Sequence, residues 1–278
     1  MTTTSSFVRP DFLVDPAGLL AHSSDADLRI VDCSEGAEYR RAHIPGAHPL
    51  DLRPWLKHEE TPHVIGPEAF SARMTALGVS SGTTVVAYDG TNGWLSGRLW
   101  WVLRYYGHER VRVLNGGWRA WVRSGYPVSV DPPAAAPADV QTAAFDARRT
   151  EDHVIHLEEL RSALNREDVQ IVNVLPPSIY RGDANPFGNA RTGHLPGSVN
   201  IPNETFSGEG SLLESAAAIR AVFEAAGLSP QRETIVHCQA GVRSSYACLA
   251  LTLAGWDRVR VYDASLAEWA NRDDTPLA

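Results

Sequence analysis

One cysteine of this sequence stands where a nucleophile is expected. The apolar run ETIVH at residues 233–237 predicts a strand that ends at Cys238. The short turn 239–242 follows, and after it come Arg243, Ser244 and the helical pattern SSYACLALTLAG. Backbone N–H groups of a turn, the positive end of a helix dipole and a nearby guanidinium all favour thiolate over thiol. The segment therefore indicates a cysteine that attacks an electrophile and holds a covalent intermediate.

A buried, inert thiol is the alternative interpretation of Cys238, because free cysteines often serve as small core residues. The position between a strand and a helix argues against it, and so does Arg243. A cation at a helix N-terminus is unfavourable to the dipole, so an arginine there indicates an anion nearby. Cys248 lies inside the predicted helix and Cys33 at the end of a first-domain strand, and both are predicted to be inert, with resolution of an oxidised Cys238 as the alternative role. Three cysteines without CxxC spacing support neither a disulfide framework nor a cysteine-rich zinc site.

The strand and helix around Cys238 belong to a unit that occurs twice in the chain. The matching segments are LRIVD at 28–32 and VQIVN at 169–173, HIPG from His43 and HLPG from His194, and YGHERVRVLNGGWRAW from Tyr106 and AGWDRVRVYDASLAEW from Ala254. Two copies in the same order imply a duplicated domain. We place the N-terminal domain at residues 1–130, a Pro- and Ala-rich linker at 131–150 and the C-terminal domain at 151–278.

Short apolar runs alternate with helical patterns in both copies. Runs such as TTVVAYD and VRVL are β-branched and nearly continuous in hydrophobicity, as strands of a parallel sheet covered on both faces should be. The stretches between them carry apolar residues at three-to-four spacing and end in Gly. We therefore predict an α/β fold of two tandem domains, each a mainly parallel sheet flanked by helices. Reactive groups in such sheets belong at the carboxyl ends of strands, which is where Cys238 stands.

The first copy lacks a cysteine at the matching position. Depending on where the gaps are placed, Cys238 aligns with Tyr88, Asp89 or Gly90 in the segment VVAYDGTNGWLSGRLWW. None of these three residues can act as a thiolate. The sequence thus predicts one catalytic domain, the second, and one domain that is catalytically inactive.

Composition excludes several classes of function. The 278 residues carry 33 acidic and 25 basic side chains, a net charge of −8, and contain no Lys/Arg run. A nucleic-acid partner is therefore not expected. The chain lacks an apolar stretch of about 20 residues, and its N-terminal segment lacks the basic start and apolar region of a signal peptide. We expect a soluble, cytoplasmic protein that does not bind membranes.

These segments together resemble the tandem-domain rhodaneses, the thiosulfate and 3-mercaptopyruvate sulfurtransferases. The resemblance covers nearly the whole chain. It rests on IVDCSEGAEYRRAHIPGA and IVNVLPPSIYRG…GHLPGSVNIP at the opening of each copy, on AYDG…GRLWWVLRYYGH and VLNGGWRAWVRSGYP in the first, and on HCQAGVRS and VYDASLAEW in the second. The order and duplication of the segments make the resemblance specific.

The resemblance implies sulfur transfer in two half-reactions at Cys238, with no metal or organic cofactor. A small anionic donor would give its sulfane sulfur to the thiolate, and cyanide or a thiol, a protein thiol included, would remove it from the persulfide. The backbone N–H groups of the loop would cradle the terminal sulfur. The implied substrate-binding residues are Gln239, Ala240, Gly241, Val242, Arg243, Ser244, Arg181 and Arg191.

The donor is less well indicated than the reaction. Thiosulfate enzymes often have the loop CRKGVT and mercaptopyruvate enzymes CG(S/A)GVT, whereas this loop reads CQAGVRS. The family segment RYRG reads Ile179-Tyr180-Arg181-Gly182 here, so its first arginine is lost. Arg181 and Arg191 remain as cations that could bind the donor by bidentate hydrogen bonds, although both are equally compatible with solvated loop charges. Thiosulfate is slightly preferred because the loop serine of the mercaptopyruvate enzymes is absent.

Two other classes of function remain open. The first is phosphatase or arsenate reductase activity of the Cys238/Arg243 loop, since protein tyrosine phosphatases share the His-Cys…Arg-Ser pattern but place five residues between cysteine and arginine. Four residues separate Cys238 from Arg243, and the tighter ring suits a sulfur atom better than a phosphoryl group. A catalytically idle rhodanese-like binding module is disfavoured because Cys238 is retained. His43 and His194 are interpreted as hydrogen-bonded structural residues of their turns, with a smaller chance that His43 approaches the active loop.

Overall fold

The computed structural model describes residues 6–51, 63–133, 144–207 and 215–278, and it contains two parallel sheets. The strands of the first sheet are β1 (Leu13–Val14), β2 (Leu28–Asp32), β3 (His48–Pro49), β4 (Thr84–Tyr88) and β5 (Val111–Leu114), in the spatial order β1-β5-β4-β2-β3. Those of the second are β6 (Val169–Asn173), β7 (Ser198–Asn200), β8 (Glu233–His237) and β9 (Val259–Val261), in the order β7-β6-β8-β9.

Helices connect the strands in both halves. The first half contains α1 (Pro16–His22), α2 (Gly36–Arg41), α3 (Pro67–Ala76), α4 (Trp94–Tyr105) and α5 (Gly117–Arg123). The second half contains α6 (Leu157–Ala163), α7 (Pro177–Tyr180), α8 (Ala216–Ala225), α9 (Val242–Leu253) and α10 (Ser265–Trp269). Short 3₁₀ turns lie at Pro10–Phe12, Glu151–His153 and Asn203–Thr205.

The two sheets have the same topology, as the repeat predicts. Leu28 of β2 pairs with Thr84 of β4, and Val169 of β6 pairs with Glu233 of β8 in the equivalent register. Even the edge strand β1 has a counterpart, because Val154 forms a parallel bridge to Val261 of β9. The predicted α/β class, with two parallel sheets flanked by helices, is confirmed.

Alternation along the strands places side chains in separate layers on the two faces of the first sheet. Val85 and Ala87 of β4 belong to a large core that continues into the second half of the chain, whereas Val86 and Tyr88 belong to a smaller core on the opposite face. Successive side chains of a strand point to opposite faces, so both faces of β4 are apolar and both are covered.

The longest helices, α4 and α9, pack against each other and join the two halves. Both are buried over most of their circumference, which is typical of a helix inside a core. They pack tightly at Gly97 of α4, where a Cβ atom would lie 3.0 Å from the Cα atom of Tyr246 in α9. The absence of a side chain at Gly97 allows this contact, and Trp94 at the start of α4 lies against Arg243 in the first turn of α9.

The predicted linker 131–150 is described only in part, since residues 134–143 lie outside the described ranges. Its last residues pack along the first half of the chain. Phe145 is buried against Phe70, and the N–H groups of Arg148 and Thr150 donate to carbonyl groups of residues 106 and 105. The predicted domain limits remain predictions.

Candidate active site

Cys238 follows β8 directly and is 2% exposed. Its N–H donates to Ser265 Oγ over 3.1 Å, and its Sγ atom lies 3.5 Å from Ser244 Oγ. The thiol belongs to the large apolar core, and at the edge of that core its Sγ atom lies beside the Ser244 hydroxyl group. The hydroxyl contact is a polar feature that a reactive cysteine requires, and the reactivity of Cys238 stays a prediction.

A second turn supports the cysteine loop from the end of β9. The N–H groups of Leu266 and Ala267 donate to the carbonyl oxygens of Cys238 and Gln239, over 3.2 and 2.8 Å. Ser265, whose hydroxyl accepts from Cys238, has a φ of 53° and is the one non-glycine residue with positive φ among those the structure describes. An outlier of this kind costs about 1–3 kcal/mol and persists only where its surroundings hold it in place. Ser265 was not predicted as a site residue, although its segment VYDASLAEW carried part of the resemblance.

The loop ends in a left-handed glycine, and the helix begins earlier than the sequence indicated. Gly241 has a φ of 82° and is the N-cap of α9, whose first residue is Val242. Val242 and Arg243 were expected to precede the helical pattern that begins at Ser244, but they lie in the first turn of the helix. Because a helix begins with N–H groups that lack partners within it, the loop and the first turn together direct donors towards one region. Gln239, Ala240 and Val242 are half-buried around it.

Arg243 lies at this loop with two partners. Its Nη1 atom donates to Glu204 Oε1 over 2.9 Å, and its guanidinium lies 3.8 Å from the ring centroid of Trp94 in the first domain. Its backbone carbonyl accepts from Asn203. A residue of each domain therefore contacts the Arg243 guanidinium, and Glu204 offsets its charge.

Gln239 is fixed by a pair of amide hydrogen bonds. Its Nε2 donates to Asn189 Oδ1 over 2.9 Å, and Asn189 Nδ2 donates in return to Gln239 Oε1 over 3.0 Å. Asn271 donates to the same Asn189 oxygen. The Gln239 side chain is thereby committed to a structural contact with the loop around Asn189.

Arg181 and Arg191 do not contact the cysteine loop in the part of the chain that the structure describes. Arg181 is exposed, and its Nε donates to Asp183 over 2.8 Å. The guanidinium of Arg191 donates to the carbonyl oxygens of Thr275 and Trp269 and to the Thr275 hydroxyl. These contacts give Arg191 a structural role in holding the C-terminal segment. Donor binding by either arginine stays a prediction.

The remaining candidate residues are buried. His237, which precedes the cysteine, is fully buried, and burial lowers its pKa to about 3, so it is neutral at physiological pH. Burial raises the pKa of the Cys33 thiol and that of Cys248, the latter to about 12. The nitrogen atoms of the buried His43 ring lie 2.9 Å from the carbonyl oxygens of Tyr39 and Asp131, which confirms its structural interpretation.

The first domain shows what the equivalent loop does without a cysteine. The strand registers align β4 with β8, so that Asp89 takes the place of Cys238. The Asp89 carboxylate accepts from the N–H groups of Thr91, Gly93 and Ser96 over 2.8–3.1 Å, and also from the Ser96 hydroxyl. An anion therefore occupies the first-domain loop. Of the three residues considered for this position, Asp89 is the equivalent.

Residues that could form a metal site are lacking in the described ranges, which contain no group of three or more His, Cys, Asp or Glu side chains suited to hold an ion. The helices of these ranges also include none with the length and apolar composition that crossing a bilayer requires.

Comparison with known protein families and curated proteins gives consistent matches. A model of the rhodanese-like domain matches the chain twice, over residues 15–124 and 156–272. The sulfur carrier protein TtuD of Thermus thermophilus is 32% identical over 98% of each chain. The thiosulfate sulfurtransferase of Azotobacter vinelandii is 31% identical over 98% of each chain, and the 3-mercaptopyruvate sulfurtransferase of Escherichia coli is 28% identical over 99% of this chain and 98% of its own.

Solved structures are similar over the same extent. The anaerobic ergothioneine biosynthesis enzyme from Chlorobium limicola, in complex with trimethyl histidine, has a TM-score of 0.85 and 25% identity. The match covers 98% of this chain and 71% of that one.

Proposed function

The chain belongs to the family of rhodanese-like domains, and from that premise we propose that it transfers a sulfane sulfur through a persulfide on Cys238. The curated relatives with 28–32% identity include sulfurtransferases that are named for two different donors. The class of reaction follows from the family. The donor, the acceptor and the roles of individual residues are the finer part of the proposal.

The reaction divides into two displacements at sulfur. In the first, the Cys238 thiolate attacks the sulfane sulfur of thiosulfate, an S–S bond forms to Sγ, and the S–S bond of the donor breaks with its electron pair leaving on sulfite. In the second, cyanide or a thiolate attacks the outer sulfur, and the cysteine leaves as thiolate. A covalent intermediate makes each step a simple exchange of one nucleophile for another, with no net oxidation.

The observation that carries the proposal is the anion held by the first-domain loop. The Asp89 carboxylate accepts from Ser96, the third residue of α4, and Cys238 Sγ lies beside Ser244, the third residue of α9. In both domains the third residue of the helix is therefore a serine that contacts the residue after the strand, which is a carboxylate in the first domain and a thiol in the second. A persulfide adds one sulfur atom to Cys238. The outer sulfur carries the negative charge and would take the position in its loop that the Asp89 carboxylate has in the first-domain loop. Donors preorganised for a developing anion are a major source of catalysis.

Thiosulfate is our preferred donor, with 3-mercaptopyruvate as the alternative. Arg243 supports an anionic donor because it is the cation nearest in sequence to the loop, and it is held at the domain boundary by Trp94. Ala240 stands where the serine linked with mercaptopyruvate would be, and this gives thiosulfate a slight preference. Relatives of both kinds match nearly the whole chain, so the preference rests on these residues alone.

The acceptor that we propose is cyanide or a thiol, and a protein thiol is included. The relative from Thermus thermophilus is named a sulfur carrier protein, which supports delivery to another macromolecule. Phosphatase chemistry is the second candidate. The spacing of four residues between Cys238 and Arg243, one fewer than in the phosphatases, argues against it, because the tighter ring suits a sulfur atom better than a phosphoryl group.

The test is to incubate the protein separately with thiosulfate and with 3-mercaptopyruvate and to measure its intact mass. We expect a gain of one sulfur atom with at least one donor, and loss of that atom when cyanide is added. The faster donor identifies the substrate class. A gain of phosphate from an aryl phosphate, with no gain of sulfur, would reject sulfur transfer in favour of the phosphatase.

Glu204→Gln is predicted to lower the KM for thiosulfate by about two- to fivefold and to leave kcat unchanged. The substitution removes the charge that offsets Arg243, and a partly exposed ion pair of this type contributes roughly 0.2–1 kcal/mol. Steady-state kinetics at low ionic strength measure the change. Glu158→Gln is the matched control, since Glu158 pairs with Arg161 on the surface of the same domain. A KM equal to that of the wild type would show that Arg243 does not bind the donor.

A further inference from the structure

An arginine of the first domain is buried beneath the cysteine loop of the second. Arg98 of α4 has 1% of its side chain exposed. Its Nη1 atom lies 2.6 Å from Asp263 Oδ1, 3.2 Å from Ser245 Oγ and 3.4 Å from the carbonyl oxygen of Gly241. All three partners belong to the second domain, and they come from the end of β9, the first turn of α9 and the cysteine loop.

The buried charges are not explained by stability. Removing two charges from water costs several kcal/mol for each ion, and well-packed apolar residues often replace such a pair without loss. A buried ion pair across a domain boundary is therefore weak evidence for a contribution to folding. Its partners in this case are the elements that set the shape of the loop around Cys238.

The Arg98–Asp263 ion pair packs directly against Gly241 of the cysteine loop. A Cβ atom on Gly241 would lie 2.2 Å from Asp263 Oδ1 and 2.8 Å from Arg98 Nη1, so the ion pair fills the space beside this glycine. The Gly241 carbonyl also accepts from the N–H and the hydroxyl of Ser245. In a trans peptide the C=O and the following N–H point in opposite directions. Holding this carbonyl towards Arg98 therefore fixes the direction of the Val242 N–H.

The same pair connects to the second turn that supports Cys238. Asp263 stands two residues before Ser265, whose hydroxyl accepts from the Cys238 N–H. Arg98 itself has little freedom to move. Its guanidinium lies 4.9 Å from the ring centroid of Trp101, and the neighbouring Gly97 packs against the backbone of Tyr246.

We propose that Arg98 is a positioning residue for the reaction at Cys238. With Asp263 it holds the Gly241–Val242 peptide and the first turn of α9 in the geometry that receives the persulfide. The domain without a nucleophile thus contributes to the chemistry of the other one. The kinetic test of this inference rests on the proposed sulfur transfer. The test of thiol reactivity by alkylation does not.

The test compares Arg98→Met, Arg98→Lys and the neutral double variant Arg98→Met/Asp263→Asn. We expect Arg98→Met to lower kcat about 100-fold with little change in KM, since displacing a reacting group by about 1 Å has this effect. Alkylation of Cys238 by iodoacetamide, followed across pH, should become slower, because the loop N–H groups are no longer held towards the thiolate. Arg243, Glu204 and the neutral His237 are unchanged in every variant.

The double variant separates positioning from stability. It leaves no buried charge unpaired, so we expect its urea midpoint to return towards that of the wild type while kcat stays low. Arg98→Lys keeps the charge without the planar fork and should have an intermediate kcat. Arg104→Met is the control, because Arg104 lies on the same helix and pairs with Glu109 instead. It should leave kcat and the alkylation profile unchanged.

Recovery of kcat together with stability in the double variant would overturn the proposal, and so would a wild-type alkylation profile in Arg98→Met. If Arg98→Met does not fold, the double variant carries the test alone. If the wild-type protein accepts sulfur from no donor, the proposed function fails, but the alkylation profiles still decide whether Arg98 controls the thiol.

Discussion

Cys238→Ser is expected to lower sulfur transfer by about 10⁴-fold or more and to abolish the mass gain of one sulfur atom, which is the effect expected when a covalent nucleophile is removed. The hydroxyl group is smaller than the thiol and is not ionised at neutral pH, so it cannot displace sulfite from the donor. The contacts of the Cys238 backbone with Ser265 and Leu266 do not involve the thiol, and the fold should therefore survive the change.

The other two cysteines provide matched controls for this experiment. Cys33 and Cys248 are buried, and burial raises the pKa of both thiols, so that neither is a thiolate at neutral pH. Cys33→Ser and Cys248→Ser should accept the same sulfur atom as the wild type. Thiosulfate turnover and intact mass measure the outcome. If Cys238→Ser still gained the sulfur atom and one of the two controls did not, the cysteine replaced in that control would be the nucleophile.

The architecture was predictable because each of its signals is local. Strands β2, β5 and β6 have the bounds of the runs LRIVD, VRVL and VQIVN, since a continuous apolar run of this length is stable only when both faces are covered. The duplicated motifs fixed the number of units without reference to the structure. The start of α9 differed by two residues, because a left-handed glycine allows a helix to begin at the next residue and this conformation cannot be read from spacing.

The support of the site was not predictable in the same way. Asp263, Ser265 and Arg98 approach Cys238 from β9 and from the other domain, so no sequence spacing relates them to the loop. Arg191 was placed among donor-binding candidates by its charge and its position before GHLPG. Its guanidinium instead holds the C-terminal segment, a contact between residues about 80 positions apart. The sequence shows that Arg191 is charged, but it does not show which groups the guanidinium contacts.

The equivalent loops of the two domains also differ in the group that each holds. Asp89 satisfies its loop amides with its own carboxylate, so the first domain needs no substrate to hold an anion there. The second domain has a thiol at the same position and a loop that is shorter by one residue before the N-cap glycine. The lack of a cysteine in the first loop and the proposed role of Arg98 are compatible, because Arg98 contacts the neighbouring loop from the second turn of α4.

Gly241→Ala is expected to have the second large effect, a fall of about 100-fold in kcat/KM together with a loss of stability. A residue other than glycine in the left-handed region costs about 1–2 kcal/mol. The added Cβ would also lie 2.2 Å from Asp263 Oδ1, and such overpacking typically costs about 1–3 kcal/mol more. Either the loop or the Arg98–Asp263 pair must move, and both positions are needed for the peptide that follows Gly241.

Gly227→Ala separates the two contributions to this effect. Gly227 has a φ of 83°, close to the 82° of Gly241, but a Cβ there would meet nothing within 4 Å. The control variant should therefore lose about 1–2 kcal/mol of unfolding free energy and keep its turnover. Urea unfolding and steady-state kinetics on both variants measure the difference. If Gly241→Ala were no more impaired than Gly227→Ala, the loop would tolerate displacement, and its geometry could not be what makes Cys238 reactive.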